Sequence, residues 1–380
     1  MDTTPLKTLL LDAIRQSGPI TFERYMALCL YHPLHGYYMQ GRDRTGIEGD
    51  FFTSPDLHPI FACLVARQAF EMWTILDRPL RFSWVEMGAG RGFFAHDFLV
   101  FVRREFPDFA SALDYVVIEA GPKRLARVKE RLAGSGLEGT VRFLDNLEQL
   151  APFTGCFFSN ELVDAFPVAV VTRAGGCLKE VCVAAEGSEL CERLCPIGNP
   201  ALESYVALYA SRLEEGCYVE ASLAATQWMR SVAAKLSRGF VLTVDYGDLA
   251  GNLCRDDQPG GTLIAYHDHL TSEDFFATPG EVDLTAHVNF SALIDTGKDA
   301  GLDLSGFTSQ QRFLMALGEG NEFSDLYEQG GSEVENLKAR LKLKRLIYPE
   351  GMGNIFKVLI QHRGTAPPKL TGLRYGNLNF

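Results

Sequence analysis

The chain has 380 residues, 47% of them hydrophobic, and carries a formal net charge of −12. That length predicts two or three domain-sized units, or one large domain with insertions, around a sizeable core. The acidic balance argues against a nucleic-acid partner, which needs a basic face, and no apolar run reaches the roughly 18 residues of a membrane span. In chain order, residues 5–16 and 21–30 have the apolar spacing of two short helices, the second opened by Thr21 with Glu23 and Arg24 behind it. Residues 31–58 are rich in Gly, His, Tyr and Pro and predict a long irregular segment of the kind that forms functional lids. A helix is expected from Asp56 to Trp73, then a buried strand through Phe82-Ser83-Trp84-Val85-Glu86-Met87.

The strand runs into Gly88-Ala89-Gly90-Arg91-Gly92. Glycines at alternate positions suit a tight turn whose backbone lies against a nucleotide-like ligand. A dinucleotide fingerprint needs its third glycine one place later, where Phe93 stands. G-x-G-x-G with a glutamate two residues before it reads instead as a loop for S-adenosylmethionine (SAM). Three further strands end in polar residues. Asp114–Ile118 ends at Glu119, placed to accept from ribose hydroxyls, and Thr140–Leu144 ends at Asp145-Asn146, where an adenine could be met. Gly155–Ser159 ends at Asn160-Glu161-Leu162-Val163-Asp164. In open α/β sheets ligands sit beyond the carboxyl ends of strands. Each carboxylate alone also reads as a helix cap or solvated turn residue, and for Asp145 the two readings are even.

Between Val168 and about Gly198, apolar stretches broken by Gly175-Gly176 and Gly187 predict a β-meander insertion. Residues 224–237 read as a helix and Gly239–Gly247 as another core strand ending near an acid. Residues 251–290 form a second excursion, Asn354–Ile360 a last strand, and Gly364–Phe380 a loose tail. Nine cysteines, an odd number, argue against a secreted disulfide framework. Those at 177, 182, 191 and 195 lack zinc spacing and a nearby histidine, so no metal is expected. Met1-Asp2-Thr3-Thr4-Pro5 has no signal or transit character, which predicts a cytoplasmic protein, with the mitochondrial matrix as the alternative.

The chain resembles the MidA-type methyltransferases over nearly its whole length. The matching segments include His32-Pro33-Leu34-His35-Gly36-Tyr37-Tyr38, Gly49-Asp50-Phe51-Phe52-Thr53-Ser54-Pro55 and the glycine loop. They continue through Ser159–Val168, Val244-Asp245-Tyr246-Gly247, Gly261-Thr262-Leu263, Asp283–Phe290 and Thr308-Ser309-Gln310. The resemblance implies an α/β fold of the class I SAM-methyltransferase (Rossmann-like) type: a seven-stranded mixed sheet with helices on both faces, an N-terminal helical lid and substrate-side insertions. The expected organisation is residues 1–58 as helical segment and lid, 59–363 as core with insertions at about 168–220 and 251–290, and 364–380 as tail. The mitochondrial members are complex I assembly factors that dimethylate an arginine, so the resemblance implies a protein arginine methyltransferase.

On that reading Asp50, Phe52, Thr53, Glu86, Gly88, Gly90, Gly92, Glu119, Asp145, Asn146 and Asn160 serve SAM. Glu161 holds the acceptor, with Asp164, Glu220, Asp283 and His287 as further candidates for catalysis or for second-tier hydrogen bonding. A carboxylate bonded to a guanidinium fixes its orientation and keeps charge off the attacking nitrogen. An arginine-bearing protein is the favoured substrate and suits an acidic enzyme. A small-molecule acceptor and a SAM-binding assembly factor are the alternatives, and a homodimer is left open.

Overall fold

The structure is a computed structural model and describes residues 4–40, 54–133, 135–137, 139–253, 259–267, 270–326, 332–348 and 352–378. It divides into two compact units. One consists of residues 52–162, 229–246 and 294–380; the other of residues 1–51, 163–228 and 247–293.

The first unit is built on seven strands: β1 (Phe82–Met87), β2 (Leu113–Ile118), β3 (Val141–Leu144), β4 (Phe153–Asn160), β5 (Leu236–Asp248), β6 (Asp303–Ser309) and β7 (Phe356–Arg363). Their order is β6-β7-β5-β4-β1-β2-β3, and an eighth short strand, Val288–Asn289, pairs with the end of β5. All neighbouring pairs are parallel except those of β7, which runs antiparallel to both β5 and β6. The mixed sheet predicted from the family is therefore present. Near-continuous apolar runs are what a sheet covered on both faces requires, and Trp84, Val85, Tyr115, Val116, Phe157 and Phe158 are buried. Trp84 stacks on Phe98, with ring centroids 4.7 Å apart, so the helix Phe93–Glu105 packs on β1 through aromatic contacts.

Helix boundaries differ from the sequence expectation by a few residues. The helix expected from Asp56 to Trp73 is Ile60–Ile75, preceded by a separate short helix at Ser54–Leu57. The C-terminal segment differs more. It is packed, not loose: Leu370 is buried, Gly372 N–H donates to Gln68 Oε1 at 3.0 Å, and Leu378 N–H donates to Phe307 C=O at 2.8 Å. Glycine is required at 372, because a Cβ there would overlap the Phe313 ring. The polar composition of the tail hides this docking, which rests on a few anchors.

The second unit has its own apolar core, in which Leu10, Tyr25, Met26, Val183 and Leu284 are buried together. Helix Pro5–Ser17 is capped by Thr4 and helix Phe22–Tyr31 by Thr21, whose hydroxyl accepts from Arg24 N–H. The expected meander is three antiparallel strands, Ala169–Ala174, Cys177–Glu186 and Glu189–Pro196. Tyr218–Ala221 adds to Ala169–Ala174 on the other side. A separate three-stranded sheet is ordered Leu270–Ser272, Ile264–His267, Asp283–Thr285.

Candidate active site

The glycine loop leaves β1 and enters helix Phe93–Glu105. Gly88 N–H donates to Ile118 C=O at 3.0 Å, which ties the turn to the end of β2. Gly90 and Gly92 have different reasons to be glycine. At Gly92 (φ +76°) a Cβ would lie 3.1 Å from the Val128 Cα, so this residue lets helix Pro122–Leu132 pack close against the loop. At Gly90 (φ +55°) a Cβ would meet nothing within 4 Å among the described residues. The space beside Gly90 is open to a ligand approaching the backbone.

Two buried carboxyls flank the loop. Glu86, 4% exposed, accepts from Tyr115 Oη at 2.5 Å. Burial pushes its pKa up to about 7, against the pull of the Tyr115 bond and with a further push from Glu119. Glu119 follows β2; its Oε1 accepts from Gly121 N–H at 3.1 Å. Its Oε2 is buried and has no partner among the described residues. A buried acceptor of that kind calls for a donor from outside the protein, and ribose hydroxyls would supply one. The open cradle at Gly90 and this oxygen together fit SAM.

At β3 the polar pair turns inward on its own loop. Asn146 Oδ1 accepts from Gln149 N–H at 3.1 Å and caps the short helix Leu147–Gln149, while Asp145 N–H donates to Gln149 Oε1 at 3.0 Å. Both residues are exposed. For this pair the local capping reading is what the geometry displays.

Beyond β4, Asn160 Nδ2 donates to Glu161 Oε1 at 2.9 Å, and Ser54 N–H donates to the same oxygen at 3.0 Å. Glu161 has φ +51°, the left-handed region that a residue with a Cβ avoids. Its own N–H donates to Val244 C=O at 2.9 Å, and the next residue, Leu162, donates its N–H to the buried Asp245 carboxylate at 3.2 Å. The corner is thus held from both sides by the neighbouring strand β5. Strain kept in place by such bonding is characteristic of functional positions.

The other candidates belong to the second unit. Glu220 accepts from Thr262 Oγ1 (2.8 Å), Thr262 N–H (2.9 Å) and Leu263 N–H (3.2 Å). Burial raises its pKa, and these bonds lower it. Thr262 Oγ1 also accepts from His287 N–H at 3.0 Å, so Glu220 and His287 share one hydroxyl. Both line a recess of about 20 Å³ with Tyr205, Ser222 and Asn289, room for about one water. Asp283, 2% exposed, accepts from Tyr38 Oη at 2.8 and 3.0 Å. Asp164 is buried and its carbonyl accepts from Ala286 N–H at 3.2 Å. Asp50, Phe52 and Thr53 lie outside the described residues.

The sequence alone does not mark Ser54, Thr262 and Tyr38 as site residues. Each lies inside a family-matching segment, and that is the only sequence signal they carry.

A family model described as S-adenosyl-L-methionine-dependent methyltransferase matches residues 64–308. Among curated proteins, "Protein arginine methyltransferase NDUFAF7, mitochondrial" of Homo sapiens is 27% identical over 98% of this chain and 86% of its own length. The Caenorhabditis elegans protein named as its homolog is 28% identical over 83% and 77%. A Burkholderia thailandensis protein, solved with S-adenosyl-homocysteine bound, is 31% identical with a TM-score of 0.89, covering 98% of this chain and 95% of that one. The curated relatives are named mitochondrial, and nothing in these names supports the cytoplasmic expectation. The family model spans well over half of the sequence, and the open glycine turn after β1 agrees with it: the chain belongs to the S-adenosyl-L-methionine-dependent methyltransferases.

Proposed function

We propose that the enzyme methylates an arginine of a protein substrate, with Glu161 holding the guanidinium. The observation that carries this reading is the Glu161 corner, a strained backbone whose carboxylate is fixed by Ser54 N–H and Asn160 Nδ2 at the carboxyl end of a central strand. The arginine methyltransferase names of the curated relatives support it. Bound SAM supplies the electrophilic methyl. Gly88, Gly90 and Gly92 shape the turn that receives it, Glu119 Oε2 accepts from the ribose, and Glu86 stays buried behind the loop. Asn160 completes the cofactor side.

A guanidinium is a weak nucleophile because its lone pairs are delocalised. Charge-assisted bonds from two of its N–H groups to Glu161 keep the positive charge on those nitrogens and leave the third with more electron density. Held in this way, that nitrogen would take the methyl from SAM, the sulfur keeping the carbon–sulfur electron pair and the nitrogen passing one proton to solvent. Positioning supplies most of the acceleration in such an in-line transfer. The mitochondrial names of the relatives favour the matrix over the cytoplasm as the place of action.

The test is labelled-methyl transfer from SAM into protein of an extract lacking this enzyme, followed by complete acid hydrolysis. Label in methylated arginine is the expected result. Label confined to small molecules would overturn the arginine reading.

A further inference from the structure

We propose that Gln310 is a positioning residue for methyl transfer, acting through Ser54 on the Glu161 carboxylate; the proposal rests on Glu161 holding the acceptor. A glutamate side chain has three torsions, and an acceptor must be held within a fraction of an ångström of its attack line for full effect. Glu161 Oε1 is fixed by two donors. One, Asn160, is its chain neighbour. The other, Ser54 N–H, comes from 107 positions away.

Ser54 opens the helix Ser54–Leu57, four residues that are too few to hold themselves in place. Its side chain supplies the anchor. Ser54 is fully buried, and its Oγ donates to Gln310 Oε1 at 3.3 Å. Gln310 is fully buried too, and its Nε2 donates to Leu346 C=O at 3.1 Å. Leu346 lies in the last turn of helix Glu333–Ile347, where carbonyls lack partners within the helix. Gln310 itself begins helix Gln310–Glu319 behind the Ser309 cap. The amide thus uses its acceptor end on Ser54 and its donor end on a helix terminus. A buried primary amide is costly unless both ends are satisfied. A hydrocarbon would fill the same space at lower cost, but it would leave the Ser54 hydroxyl without its acceptor. The geometry assigns Gln310 the task of fixing where Ser54 N–H points, and so which way the Glu161 carboxylate faces.

A double-mutant cycle on the full chain tests this, using wild type, Gln310→Leu, Glu161→Asp and the pair. Glu161→Asp shortens the side chain and already releases Ser54 N–H. SAM affinity is measured by calorimetry, and turnover as labelled methyl entering extract protein. Gln310→Leu is expected to lower turnover about 10-fold with SAM affinity unchanged. In the Glu161→Asp background the same change is expected to cost less than about twofold, because partners in one network are non-additive. Equal losses in both backgrounds would mean that Gln310 serves the fold alone, and wild-type turnover in Gln310→Leu would equally overturn the proposal. Should Gln310→Leu not fold, Ser54→Ala takes its place, since it keeps the backbone donor and removes only the hydroxyl. Glu161→Gln separates the two levels. Full turnover there removes Glu161 from the reaction and the proposal with it. Lost turnover there, with full turnover in Gln310→Leu, overturns the proposal alone.

Discussion

Tyr115 on β2 reaches across to β1 and donates its hydroxyl hydrogen to Glu86 Oε2 at 2.5 Å, so the carboxyl just before the glycine loop is bound inside the sheet. Both side chains are buried. Burial is what sets the protonation of Glu86, and the fold carries the consequence as a dependence on pH.

The Glu86 pKa is raised from 4.5 to about 7, so between those values the folded state keeps a proton that the unfolded chain releases. The associated stability is complete below pH 4.5 and is lost as pH rises through about 7. Thermal unfolding of wild type should therefore show a decline across this window, on the order of 3 kcal/mol at most. Glu86→Gln should flatten it. Parallel melting-temperature profiles for the two proteins would show that Glu86 is not the titrating group.

Gly90→Val should abolish SAM binding while leaving the protein folded. Among the described residues nothing lies within 4 Å of the added Cβ, so the main cost to the fold is that of the backbone at φ +55°, about 1–2 kcal/mol. Calorimetric titration with SAM, beside a melting curve, separates the two effects. Unchanged affinity would mean that the cofactor does not approach this turn.

Glu161→Gly should lose activity with little net change in stability. Glycine relieves the left-handed strain at φ +51°, a gain of about 1 kcal/mol, while Ser54 N–H and Asn160 Nδ2 lose their acceptor at a cost of about 1–3 kcal/mol. Turnover is expected to fall by about two orders of magnitude or more with SAM affinity kept. Wild-type turnover in this variant would remove Glu161 from the reaction.

Leu370→Ala should destabilise by about 2–5 kcal/mol, the range for a buried leucine in a well-packed site. Denaturant unfolding measures it. A loss below about 0.5 kcal/mol, the surface value, would mean that the C-terminal segment is not anchored there.

The sheet and its strand ends were legible because burial on both faces leaves apolar runs that stop where polar residues begin. Glu119 and Glu161 stand at those stops, and both occupy distinctive positions: one has a buried oxygen without a partner among the described residues, the other a strained backbone. Asp145 and Asn146 also stand at a stop, yet they bond to Gln149 within their own turn. Periodicity cannot separate these cases, because the difference lies in which donors the tertiary structure brings near. The Ser54–Gln310 bond, spanning 256 positions, has no local trace at all. The docking of Gly372 on Gln68 across 304 positions is hidden for the same reason.

The antiparallel β7 lies between β5 and β6, although it is the last of the seven strands in the chain. Among the described residues, β6 has no other strand neighbour than β7. During synthesis β6 therefore leaves the ribosome with no edge to join. It must wait for the segment Phe356–Arg363, some fifty residues later, which at roughly 5–20 residues per second is several seconds of exposure. A ribosome that stalls in this interval leaves a sheet ending at β5, with a bare edge open to other chains.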